Sequence, residues 1–185
     1  MSDAAEVEGR SMGAVKTSRR VFLRRAAVAV TGLIIPGWLP RPAEAAFQIG
    51  DVPSRVSLND ISGSRVVVPS DFVKKVVLIH FWASWCPVCR GEMQALESLY
   101  VKQGGEGFTP CSIGLGEKRE TAVSYLKNMT VSYPVLLDPA LSTKKPFGVA
   151  GIPTTFVLDR GSVIRYKILG KVEPVGLEKM VRSLL

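Results

Sequence analysis

Val76-Val77-Leu78-Ile79-His80-Phe81-Trp82 runs directly into Ala83-Ser84-Trp85-Cys86-Pro87-Val88-Cys89-Arg90-Gly91-Glu92, and the reading of this stretch decides the fold. Its first half is a nearly continuous apolar run with β-branched residues, the pattern of a strand covered on both faces. Ser84 to Cys89 reads as a turn. Arg90 to Tyr100 then takes helical spacing, with Met93, Leu96, Leu99 and Tyr100 as its apolar stripe. A Cys-x-x-Cys pair therefore stands between a strand and a helix. Two intervening residues bring the sulfurs within bonding range when the second cysteine lies one turn into the helix. Cys86 is expected at the helix N-terminus, where free N–H groups and the helix dipole favour a thiolate. Pro87 suits the first helical position, where its missing N–H costs nothing. Cys89 is expected to be the more buried, resolving thiol. Strand, Cys-x-x-Cys and helix within an α/β pattern point to a redox dithiol.

Two other uses of the pair fit poorly. A structural zinc site needs four ligands, and beyond residue 45 the chain offers only Cys86, Cys89, Cys111 and His80, with no second paired motif. A purely structural disulfide would close a loop too short to restrict the unfolded chain by much.

Outward from the dithiol, the chain alternates strands and helices and then pairs strands. Ser57-Leu58 and Arg65 to Val68 are expected to form a small hairpin or edge strands. Gly104-Gly105 and Gly107 stop the first helix. Cys111 to Leu115 reads as a strand that Pro110 begins, since proline lacks a ladder donor. Glu120 to Met129 reads as a helix and Tyr133 to Leu137 as a strand. Thr155 to Leu158 and Val163 to Leu169 flank the hairpin signal Asp159-Arg160-Gly161-Ser162. Gly176 to Leu185 is amphipathic, with Leu177, Met180, Val181 and Leu184 inward. The order predicts an α/β fold: a mixed central sheet with helices on both faces. Cys111 reads as a buried small hydrophobe. Trp82 and Trp85 are expected to pack as a shield for the dithiol.

The first 45 residues have another character. Ser18-Arg19-Arg20-Val21-Phe22-Leu23-Arg24-Arg25 precedes an uncharged run from Ala26 to Pro40, and Ala43-Glu44-Ala45 follows. Basic region, apolar region and small-x-small end are the grammar of a secretory signal peptide. The arginine pair followed by Phe-Leu is similar to twin-arginine (Tat) signals. Gly32, Pro36 and Gly37 break the apolar run, which falls short of the roughly 20 residues a membrane span needs. The expected organisation is a Tat signal peptide at 1–45 and one domain at 46–185. That domain carries 17 basic and 12 acidic residues, a net +5. The basic residues are scattered among acids, which argues against a nucleic-acid partner.

Phe81 to Glu92 resembles the active-site segment of exported thioredoxins of the TlpA/ResA type. Gly148-Val149-Ala150-Gly151-Ile152-Pro153-Thr154-Thr155-Phe156 resembles the cis-proline loop of that family, and Tyr133-Pro134-Val135-Leu136-Leu137-Asp138 its inserted helix-strand unit. The similarity runs from about Asp51 to Leu185. It implies a thioredoxin fold with the TlpA-type insertion and an exported thiol:disulfide oxidoreductase. Cys86 would be the attacking nucleophile, with Cys89 resolving. Pro153 would follow a cis bond beside Cys86, with the backbone of Ile152 pairing to a bound substrate strand. Trp85, Pro87 and Val88 would contact substrate. Glu92, three residues after Cys89, matches a family glutamate that lines the active-site cavity and tunes thiol protonation. The alternative for Glu92 is an ordinary solvated helix residue.

His80 departs from the family pattern of Asp or Asn at this strand position. It is either a proton relay to Cys89, since imidazole titrates near neutrality, or a hydrogen-bonded core residue. No cofactor other than the dithiol and no metal are called for. The implied partners are disulfide-bearing proteins, apocytochrome c among them, a membrane thiol transporter as electron donor, and the Tat translocon. The implied location is the periplasm or cell envelope, with the protein tethered to the membrane if the signal is not cleaved. Ile152 before Pro153 matches reducing thioredoxins, so a reductant is expected. A disulfide oxidant or isomerase is the alternative, with a copper-binding assembly chaperone on the same fold a more distant one.

Overall fold

The computed structural model describes residues 46–185; the expected signal segment lies outside the described residues. The strands are β1 (Val56–Asp60), β2 (Arg65–Val68), β3 (Val76–Trp82), β4 (Phe108–Leu115), β5 (Val135–Asp138), β6 (Thr154–Leu158) and β7 (Ile164–Leu169). The helices are α1 (Cys89–Gln103), α2 (Arg119–Leu126) and α3 (Pro174–Arg182). One mixed sheet takes the order β2-β1-β5-β4-β3-β6-β7. β3, β4 and β5 run parallel, and the remaining pairs are antiparallel.

Alternation along β3 sorts the core into two layers. All seven of its residues are buried. Val77, Ile79 and Phe81 join a cluster with Phe147 and Phe156. Val76, Leu78 and Trp82 join another that holds Met93 and Leu96 of α1, Ala122 and Leu126 of α2, and Leu177 and Val181 of α3. A strand satisfies both faces this way only if it lies centrally, as β3 does between β4 and β6.

The three α-helices therefore share one face, where the element order predicts helices on both. Among the described residues the second face carries only the short 3-10 helix Ser70–Phe72, which supplies Phe72, together with consecutive turns over residues 142–148 and Phe47. Those turns carry a mixture of hydrogen bonds, Lys144 to Leu141, Phe147 to Thr143 and Val149 to Lys144. Pro146 cannot donate, and Leu141 and Gly148 have positive φ, so no continuous helical ladder forms. The segment still delivers Phe147, whose ring meets Phe47, Phe81 and Phe156 at centroid distances of 5.1 to 5.3 Å.

Pro110 lies inside β4, opposite Leu78, and does not begin the strand. The reason is which side its missing donor faces. Ser112 N–H donates across to Pro134, and Pro110, two residues earlier, faces the same side. β5 pairs with β4 only from Ser112 onward, so no ladder bond is lost. Among the described residues no helix is long and apolar enough to cross a membrane.

Phe147→Ala should destabilise the protein by about 3–5 kcal/mol, because a fully enclosed aromatic leaves a cavity that its neighbours cannot fill. Urea denaturation followed by tryptophan fluorescence checks this.

Candidate active site

β3 ends at Trp82, and the chain turns at once, with Cys86 N–H donating to Ala83 O at 3.1 Å. The first helical bond of α1 runs from Glu92 N–H to Val88 O, and Val88 is the N-cap with φ −81° and ψ −23°. Cys89 is thus the first helical residue rather than one turn in, and Pro87 sits ahead of the helix in the turn. The two sulfurs are joined in a disulfide, with Cα atoms 5.5 Å apart. Cys86 keeps a small exposed surface while Cys89 has none. That asymmetry suits an attacking and a resolving thiol.

The surroundings divide into a rim and a floor. Pro87 and Val88 are exposed on the rim. Trp85 is 72 % exposed, so it does not shield the dithiol by packing; the fully buried Trp82 does. Loop position explains the difference, since Trp82 still belongs to the strand and Trp85 projects from the turn. The Ile152–Pro153 bond is cis, and Pro153 O accepts from Gly170 N–H at 2.8 Å. Half-buried Ile152 and Trp85 line one groove of about 180 Å³ with Leu141 and Lys144.

The floor is polar and buried. Cys89, Glu92, Met93 and Leu96 form the buried face of α1, consistent with i, i+3 and i+4 spacing. Glu92 is buried, not solvated. Its Oε1 accepts from Val172 N–H at 2.7 Å, and its Oε2 lies 3.7 Å from His80 Nδ1. His80 Nδ1 is also 3.3 Å from Thr155 Oγ1 on β6. Among the described residues, His80 Nε2 and Glu92 Oε2 have no hydrogen-bond partner.

Burial raises the Glu92 pKa, opposed by the Val172 hydrogen bond and the Lys171 charge. Burial alone lowers the His80 pKa to about 4. Both groups are thereby pushed toward their neutral forms. Thr155 and Val172 were not legible as parts of this site, because they come from β6 and the β7–α3 turn. Glu117 was not legible either: its carboxylate binds Ser84 beside the dithiol. The cue available was only a glutamate after Gly116 at a strand end.

Cys111 belongs to the opposite core layer from Cys86 and Cys89. Burial pushes its thiol up to about 12, which leaves it inert, as expected of a small core hydrophobe.

This arrangement of strand, dithiol turn, helix and cis-proline loop has clear relatives. The Redoxin family profile matches residues 48–184. The chain belongs to the Redoxin family. This Redoxin is 28% identical over 156 residues to the thiol-disulfide oxidoreductase ResA of Bacillus subtilis, covering 82% of this chain and 86% of that one. It is 33% identical over 111 residues to the thiol:disulfide interchange protein DsbE of Escherichia coli K12, covering 60% and 58%. A Chlorobium tepidum crystal structure, described as a thiol:disulfide interchange protein DsbE, superposes with TM-score 0.71 at 28% identity, covering 75% of this chain and 99% of that one. The fold is thioredoxin-like, and this Redoxin is a thiol-disulfide oxidoreductase.

Protonation of His80 should couple to stability. A histidine held at about 4 when folded and 6.5 when unfolded leaves the unfolded chain binding the extra proton between those values. Stability is complete above pH 6.5 and falls as pH drops toward 4, by at most about 1.4 kcal/mol per unit. His80→Asn should flatten that acid-side slope relative to the native protein. Denaturant titrations at pH 4.5, 5.5 and 7 measure it; equal slopes would contradict the buried neutral imidazole.

Proposed function

We propose that the protein acts in the cell envelope as a reductant of disulfides in client proteins, apocytochrome c cysteines among them. The observation that carries this reading is the Cys86–Cys89 pair. A half-exposed apolar rim lies at one side of it, and the buried Glu92–His80 pair lies beneath.

In the reduced protein the Cys86 thiolate attacks one sulfur of a client disulfide. A mixed disulfide forms and the other client sulfur leaves as a thiolate, which takes a proton. Cys89 then loses its proton and attacks Cys86 Sγ. The Cys86–Cys89 disulfide forms, the client's second sulfur is released, and two electrons have passed to the client. Glu92 lies on the same helix face as Cys89 and has an oxygen without a hydrogen-bond partner. It is the group suited to receive the Cys89 proton, and His80 Nδ1 lies 3.7 Å from that oxygen. Ile152 presents its backbone to the client strand, and Trp85, Pro87 and Val88 supply apolar contact on the rim.

Export rests on the Arg19-Arg20 signal and on residues 1–45 serving as a Tat signal peptide. Re-reduction rests on a membrane thiol transporter. ResA and DsbE relatives support a thiol-exchange role of this kind.

Cys89→Ser should trap the client on Cys86 as a mixed disulfide that dithiothreitol releases; capture of no protein would count against a protein substrate. The dithiol's potential, measured against glutathione, should lie in the thioredoxin range, at about −270 mV or below. A value near about −120 mV would make the protein an oxidant instead. Replacing Arg19 and Arg20 with lysine should leave the protein in the cytoplasm, as read by cell fractionation.

A further inference from the structure

The buried polar groups around the dithiol are not all on its own strand and helix. Glu117, in the turn that opens α2, is nearly fully buried. Its Oε1 accepts the Ser84 backbone N–H at 2.7 Å and the Ser84 hydroxyl at 3.0 Å. Ser84 stands two residues before Cys86.

At the other end of α2, Tyr125 meets the residue after Cys89. Its backbone carbonyl accepts from Arg90 Nη2 at 2.8 Å. The Arg90 guanidinium lies 4.5 Å from the Tyr125 ring centroid, and Trp82 stacks on the same ring at 5.0 Å and 20°. One short helix and the turn leading into it thus touch the chain just before Cys86 and just after Cys89. Room for the Glu117 side chain is built into β4. A Cβ on Gly114 would lie 3.1 Å from Glu117 Cβ and Cγ and 3.2 Å from the Trp82 ring.

We propose that α2 and the turn leading into it clamp the redox turn from both sides and that Glu117, in that turn, is the positioning residue, holding Ser84 so that Cys86 stays over the N-terminus of α1. This rests on Cys86 being the attacking thiol. The helix N-terminus favours a thiolate only while the sulfur stays near its free N–H groups. A turn without its Ser84 anchor moves the sulfur away, and the Cys86 pKa rises. A merely electrostatic role gives the opposite sign, because removing a nearby carboxylate charge lowers a thiol pKa. The direction of the shift therefore separates the two.

The test measures iodoacetamide alkylation of Cys86 in the reduced protein against pH, located by mass spectrometry, alongside reduction of insulin. The native protein must first reduce insulin; if it does not, the functional reading fails before the clamp is in question. Glu117→Ala should move the alkylation midpoint upward. It should also slow Cys86 at pH 7 roughly tenfold, the size expected when a hydrogen bond to a charged group is lost. Glu117→Gln keeps an acceptor oxygen for both Ser84 donors and should retain the native rate. Ser84→Ala removes the hydroxyl donor alone and should slow Cys86 about threefold. Added to Glu117→Ala, it should change nothing further, because the two residues act through one contact. A folded Glu117→Ala protein with the native profile, or a midpoint moved downward, overturns the proposal, as does Glu117→Gln as slow as Glu117→Ala. Should Glu117→Ala fail to fold, Ser84→Ala at the native rate overturns it equally.

Discussion

The site depends on β3 being enclosed on both faces. Its odd residues pack against the Phe147 layer and its even residues against the helices. The strand can therefore neither slip nor turn over without exposing one set. That rigidity places the end of the strand, and so the dithiol turn, at a defined height above the core. It also forces His80 inward beside Leu78 and Trp82, where a polar side chain is costly unless something answers it. Glu92 and Thr155 are what answer it, through contacts of 3.7 and 3.3 Å.

A buried carboxylate beside a buried imidazole is weak evidence for stability, since desolvation offsets much of their attraction. Under the proposed function its value is chemical. Both groups are pushed toward neutrality, and an oxygen and a nitrogen stay without a hydrogen-bond partner close to the resolving thiol's side of α1. The rim differs in kind. Trp85, Val88 and half-buried Ile152 are apolar and accessible, as a surface that meets other chains should be. The dithiol lies at the boundary, with Cys86 turned to the rim and Cys89 to the floor.

Much of this was legible in the chain itself. The two-faced strand, the Cys-x-x-Cys turn, the stripe of α1 and the closing hairpin each carry a local signature, and local signatures survive without tertiary context. Errors fell where a local rule met a global one. Pro110 reads as a strand start because proline lacks a donor, yet that donor faces a side where β5 has not begun. Trp85 reads as packing because tryptophan is large and apolar, yet it projects from the turn. Helices were expected on both faces, and Pro146 with the positive φ of Leu141 and Gly148 keeps residues 142–148 as turns, so among the described residues the second face has only the short 3-10 helix Ser70–Phe72.

The Cys86–Cys89 pair and its place between strand and helix were determined by sequence, because short spacings and backbone-restricting residues act over a few positions. Only the tertiary structure decided which polar groups meet the dithiol. Glu92 meets His80 from twelve residues away, and Val172 meets Glu92 from 80 away. Glu117 meets Ser84 across 33. Such contacts are set by which strands neighbour β3 and which face the helices cover, and sequence spacing alone carries no record of either.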